Sequence, residues 1–198
     1  MSRSIFFDTE TTGLPRDRYK DALKGPNNWP DIVSICWMVY EGRILVKKEN
    51  HIIKPAGWKI PAEAAAIHGI TDAIAEARGV PLQGVMDKFR FDIVGCVRIV
   101  AHNLEFDKNV VLAAYKGRLG VEPSVVWPLS VQKAELCSAQ KSKWELKLPS
   151  RYPKSADPYK YPSLDELYKD TFGVDAPDGA HNAERDVDVL QAIVWKRW

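Results

Sequence analysis

The sequence predicts an α/β domain built on a mixed β-sheet, with its first three strands antiparallel and α-helices on its flanks. Three observations lead there. Strand-like apolar runs come first in the chain. The second and third of these are joined by a tight turn, Glu41-Gly42-Arg43, as in a meander. Beyond residue 60, helical and strand patterns alternate.

In order, Ser4 to Phe7 is an apolar run that continues into Asp8-Thr9-Glu10. Pro15 to Pro30 is a polar loop rich in Pro, Gly and Asn. Asp31 to Tyr40 is a strand, and Ile44 to Val46 with Glu49 to Lys54 are return strands. Pro61 opens a short helix that Gly69 stops, and Thr71 or Asp72 caps a second. Pro81 to Phe91 reads as a third helix. Arg98-Ile99-Val100-Ala101 is a short buried strand, followed by a helix from Asn103 or Leu104 to about Gly117. Val125 to Trp127 is one more candidate strand, and Gln132 to Ala139 reads as helical. Lys141 to Pro162, dense in lysine, aromatic residues and proline, reads as an irregular insertion. Ser163-Leu164-Asp165-Glu166 has the pattern of a capping box, and Gly173 ends the helix it starts. The final helix begins near Asn182.

The 198 residues suit a single domain, 1–198, and are enough to bury a core. A hydrophobic share of 45% and a charged share of 27% fit a globular chain. The net charge of +2 excludes neither acidic nor neutral partners. Cys36, Cys96 and Cys137 are far apart and odd in number. They match no disulfide framework or zinc spacing, so reduced thiols and a cytoplasmic setting are expected. No basic leader with an apolar run marks a signal peptide, and no stretch is long and apolar enough to meet a membrane as a span.

The chemistry starts at Asp8 and Glu10. Spaced i, i+2 on a strand, they share one face. Two like charges at the end of an apolar strand repel unless a cation lies between them, which points to a divalent metal. The alternative is a strand end reaching water. On the last helix, Ala183, Val187, Leu190 and Val194 form an inward stripe that also carries Asp186, whereas Asp188 points away. An inward carboxylate needs a metal or a salt bridge to an arginine. His181 lies five residues before Asp186, about 140° off its face on a helix, so the two converge only if His181 sits on the preceding loop. A loop histidine near carboxylates is placed to be a base; otherwise it is simply exposed. Asp107 falls in the first turn of its helix, where an acid also suits the macrodipole.

Taken together, Asp8-x-Glu10, His102-Asn103-x-x-Phe106-Asp107 and His181-x-Ala183-x-x-Asp186 resemble the DEDDh group of 3′→5′ exonucleases in the ribonuclease-H-like superfamily. That group includes proofreading exonuclease subunits, ribonuclease T and oligoribonuclease. Phe7-Asp8-Thr9-Glu10-Thr11-Thr12-Gly13-Leu14 is similar to the family's first motif. Glu63 with Ile67-His68-Gly69-Ile70-Thr71, and Ser163 to Leu167, are similar to further family segments.

The resemblance implies a ribonuclease-H-like fold and hydrolysis of phosphodiester bonds at the 3′ end of single-stranded nucleic acid, with release of nucleoside 5′-monophosphates. Asp8, Glu10, Asp107 and Asp186 would hold two divalent cations, Mg2+ or Mn2+, with Asp8 bridging them and His181 as general base. Thr11 and Thr12 would meet the terminal sugar, and Ile67 and His68 the terminal base or sugar. Asn103 and Phe106 would line the scissile end. The partners implied are single-stranded DNA or RNA 3′ ends, with a polymerase or other replication or repair protein as a candidate. Two features depart from the family: the long loop after the first motif, and the basic-aromatic insertion at about 141–162. The insertion's cations and rings suit a single strand, or equally an excursion packed on itself. Two other functions compete, a catalytically weak nucleic-acid-binding subunit and a phosphohydrolase of small nucleotide esters.

Overall fold

The computed structural model describes residues 2–17, 19–122, 124, 127, 133–150 and 157–198. Among the described residues, five strands make one sheet: β1 (Arg3–Thr11), β2 (Ile32–Glu41), β3 (Ile44–Ile52), β4 (Arg98–Ala101) and β5 (Ala134–Cys137). Their order is β3-β2-β1-β4-β5. β1 to β3 pair antiparallel, while β4 joins β1 and β5 joins β4 in parallel. The helices are α1 (Ala62–His68), α2 (Asp72–Arg78), α3 (Leu82–Val94), α4 (Leu104–Ala113), α5 (Ser138–Leu146), α6 (Leu164–Phe172) and α7 (Ala183–Arg197). This is the mixed sheet with an antiparallel start that the sequence predicts.

Alternation along β1 separates two cores. Ile5 and Phe7 face the side covered by α3 and α4, where they pack with Met86, Phe89, Val110 and Val111. Phe6 faces α7 and packs with Ala183, Val187, Leu190 and Val194. Asp8 and Glu10, at even positions like Phe6, therefore point to the α7 side. The inward stripe of α7 is as expected. A second buried row, Val189 and Ile193, packs on Leu167 of α6 and was not legible in the spacing.

Local chemistry explains most helix ends. Thr71 accepts from the Ile74 N–H to cap α2, and Asn182 accepts from Glu184 and Arg185 to cap α7. Ser163 and Glu166 form the full capping box of α6. Gly69 closes α1 with φ 75°, a left-handed conformation that a side chain resists.

Several expectations need correction. The two return strands are one, continuous from Ile44 to Ile52. The helix expected at Gln132 to Ala139 is instead strand β5 followed by the start of α5. The open edge of β4 overrides the local pattern: the Ala134 N–H reaches Val97 O at 2.8 Å, and Leu136 is buried on the sheet. Gln132 itself lies outside the described residues. So do Val125 and Val126 of the further candidate strand, while Trp127 is buried against Phe7. Beyond Ala113 the fourth helix continues as a π turn, Ala114–Arg118.

The segment from Lys141 to Pro162 is not irregular throughout. Its first part, to Leu146, is helical, and Leu148 and Ser150 then pair with Lys160 and Pro158 at 3.0 and 2.9 Å. Trp144 meets Tyr159 edge-on at 5.5 Å, and the Lys143 ammonium sits over Tyr161 at 4.7 Å and pairs with Asp157. Among the described residues, Lys143, Trp144, Tyr159 and Tyr161 thus pack within the segment, whereas Lys141 sits over Trp198 at 4.7 Å and Lys160 pairs with Glu166 at 2.5 Å. His102 ties it to the sheet, with Nδ1 at 2.8 Å from Ser138 Oγ and Nε2 at 3.0 Å from Pro162 O.

Candidate active site

The sheet brings together four acids from three elements. β1 supplies Asp8 and Glu10. Asp107, in the first turn of α4, is buried and accepts two bonds through its Oδ1, from the Thr9 N–H at 3.1 Å and the Thr9 hydroxyl at 2.7 Å. Asp186, in the first turn of α7, accepts from Arg185 Nη1 at 2.8 Å and from the His181 N–H at 3.1 Å. Asp107 and Asp186 are therefore fixed by donors. Asp8 and Glu10 are not: no hydrogen bond or ion pair among the described residues reaches either carboxylate.

The electrostatics follow from that crowding. Burial first, then the charges of Asp107, Glu10 and Asp186, raise the Asp8 carboxyl well above its ordinary value. Burial with Asp186 and Asp107 pushes Glu10 up to about 8. Burial raises Asp107 to about 7 against the lowering bonds from Thr9. Burial also raises Asp186, offset by Arg185 and the His181 amide. Carboxylates raised together are a cluster short of positive charge. The donors are all hard oxygens, which suits magnesium or manganese better than soft metals.

His181 lies on the loop before α7, as convergence with Asp186 requires. Its backbone is left-handed, φ 61°, and its N–H is held by the Asp186 carboxylate. Its ring is exposed, and its ligand atom lies within 4.8 Å of those of Glu10 and Asp186. That places an imidazole beside the acids, open to solvent.

The expected substrate residues divide. His68 is buried and, with Glu10, Ile70 and Asn182, lines a cavity of about 320 Å³ beside the acids. Its Nδ1 accepts from the Ile70 N–H at 3.1 Å, leaving the ring proton on Nε2. Ile67 is 59% exposed and does not line that cavity. The Thr11 and Thr12 hydroxyls build the turn itself: Thr11 donates to Gly13 O at 2.7 Å, and Thr12 accepts from the Asp31 N–H at 3.0 Å. Phe106 is half-buried against Trp29, with ring centroids 6.2 Å apart. Asn103 is the residue before α4 and lines a different hollow, with Gln140 and Tyr161.

Two residues of the site are missing from the sequence reading. Thr9, whose side chain takes the face opposite to that of Asp8 and Glu10, anchors Asp107. Arg185 is adjacent to Asp186 and also bonds Asp165 at 2.7 Å and Pro177 O at 2.9 Å. It realises the arginine partner weighed for Asp186 and ties together α6, the His181 loop and the acid. Its position beside an inward acid was the available signal.

Comparison with solved structures decides the fold. The zinc-bound form of Escherichia coli exonuclease I with single-stranded DNA superposes with a TM-score of 0.74 over 99% of this chain and 40% of that one, at 20% identity. The same enzyme with a dT13 oligonucleotide gives 0.70 over 98% and 40%, also at 20% identity. The chain has the fold of these exonuclease I structures. By sequence it is 46% identical over 68 residues to an uncharacterized exonuclease of Escherichia phage 186, covering 34% of this chain and 27% of that protein. It is 34% identical over 104 residues to a DNA polymerase III subunit epsilon-like protein of Rhodobacter capsulatus, covering 52% and 13%. These matches thus span well under half of each relative. No family model matches the chain.

Proposed function

We propose that this chain is a metal-dependent 3′→5′ exonuclease that removes nucleoside 5′-monophosphates from single-stranded nucleic acid, acting as one domain. The observation that carries the reading is the pair of half-buried Asp8 and buried Glu10, set among Asp107 and Asp186 with no hydrogen bond or ion pair to either carboxylate among the described residues. Asp8, Glu10, Asp107 and Asp186 fit a pair of divalent cations, Mg2+ or Mn2+. Bound there, such ions neutralise charge and stabilise the attacking and leaving oxygens of an in-line displacement. His181 takes the proton of the attacking water, and Arg185 holds Asp186 and the loop that carries the base. His68 and its cavity receive the terminal nucleoside. The exonuclease-named phage relative and the oligonucleotide-bound neighbours support this reading. The epsilon-like relative supports a polymerase or other replication partner.

A gel time course tests it. A 5′-labelled single-stranded DNA and an RNA of matching sequence, each with manganese, magnesium or EDTA, are expected to give a metal-dependent ladder shortening from the 3′ end. Binding without cleavage would favour the inactive module, and turnover of only a nucleotide ester the small phosphohydrolase. His181→Ala is expected to lower the rate by about 10²–10⁴ while keeping metal binding, measured by calorimetric titration. A full rate at neutral pH would remove His181 as the base.

A further inference from the structure

We propose that Thr9 is a positioning residue: it fixes one carboxylate oxygen of Asp107, so that the other is left to take a divalent cation. This rests on the reading of the four acids as a cation site. Thr9 lies between Asp8 and Glu10 on β1, and its side chain takes the face opposite to theirs. That face meets α4, whose Asp107 is 98 residues away in the chain. A stretch of three residues therefore supplies two acids of the cluster from one face and holds a third from the other.

The contact follows from where β4 ends. β4 pairs with β1 only as far as Phe6, opposite Val100. Thr9 lies beyond that pair, and its N–H goes to Asp107 Oδ1 at 3.1 Å. The Thr9 hydroxyl donates to the same oxygen at 2.7 Å. Oδ2 receives no hydrogen bond among the described residues, and no other residue among them donates to this carboxylate.

Thr9 is 7% exposed and Asp107 3%. A carboxylate so buried has few other donors within reach, so the hydroxyl is costly to lose. Asp186 is held differently, by Arg185 and the His181 N–H. The two helix-borne acids are thus positioned independently, and a change at Thr9 reaches Asp107 while Asp186 and the His181 loop keep their bonds. A ligand oriented before the cation arrives binds it more tightly, and loss of such a partner costs about 10–100-fold in metal affinity or activity.

The test is calorimetric titration of manganese into the whole chain, with circular dichroism and the gel assay alongside. Thr9→Val keeps the volume and the N–H but removes the hydroxyl. It is expected to weaken manganese binding by about tenfold at temperatures where the chain is folded. Turnover at limiting manganese should fall with it, and saturating manganese should recover most of the rate. Thr9→Ser keeps the hydroxyl and should bind manganese like the wild type. A role in packing alone predicts the reverse order, because valine fills the site and serine leaves a gap the size of a methyl group. If Thr9→Val fails to fold, Thr9→Ala, which sets no methyl group against Oδ1, is expected to bind more weakly than Thr9→Ser.

Wild-type manganese affinity in the folded variant without the hydroxyl overturns the proposal, and so does Thr9→Ser binding as weakly as that variant. Weakened binding in a chain that cuts nothing keeps the role of Thr9 and sinks the nuclease reading. Thr9→Val that cuts and binds manganese like the wild type does the reverse. A wild type that binds no manganese overturns both.

Discussion

Asp8→Ala is expected to abolish turnover, by at least about a thousandfold, while leaving a folded chain. Asp8 lies among the other three acids, and each of their charges raises its carboxyl. A group in that position contributes to any cation bound between them, so its loss removes more than one ligand bond. The same variant should melt at a higher temperature than the wild type in EDTA at pH 8, because an unpaired, half-buried charge crowded by three like charges is gone. It should also lose most of the metal-induced rise in melting temperature. Circular dichroism and a thermal scan check the fold, and the gel assay checks turnover. A variant that is folded and still cuts at a tenth of the wild-type rate would show that the chemistry lies elsewhere.

The second large effect is on stability. Millimolar magnesium or manganese is expected to raise the melting temperature. A cation at a hundred times its dissociation constant stabilises by about 2.7 kcal/mol. In a chain of this size that is about 5–10 °C. The shift should depend on pH. Glu10 and Asp107 have folded-state values raised to about 8 and about 7, above ordinary carboxylates. The folded metal-free chain then holds more protons than the unfolded one, so its stability falls as pH rises through these values. That loss begins above the ordinary carboxylate range, near pH 4, and is complete at about pH 8. Protons and cations compete for the same oxygens, so the metal-induced shift should be small at pH 5 and largest near pH 8. Thermal scans with and without metal across that range decide it. A shift independent of pH would mean that the cation stabilises the chain at other groups.

Much of this was legible in the sequence, because it depends on short-range periodicity and capping. Two acids spaced i, i+2 must share a strand face, and Phe6 shows that this face meets α7. The spacing of Ala183, Val187, Leu190 and Val194 placed Asp186 inward and Asp188 outward, where Asp188 now meets Lys48 at 3.1 Å. The five-residue offset required His181 to lie on a loop, and it does. Serine and glutamate three apart were enough for the cap of α6.

What only the tertiary structure decided involves partners distant in the chain. Ala134 to Cys137 became a strand because β4 offered an unpaired edge, which no local pattern records. Thr9 bonds an acid 98 residues away. Arg185 joins α6, a loop carbonyl and Asp186, so its role depends on how helices pack. In the Lys141 to Pro162 segment, Lys143, Trp144, Tyr159 and Tyr161 packed against each other, while Lys141 and Lys160 met Trp198 and Glu166. Periodicity fixes which face a side chain takes; what lies opposite that face is set by the packing of the whole chain.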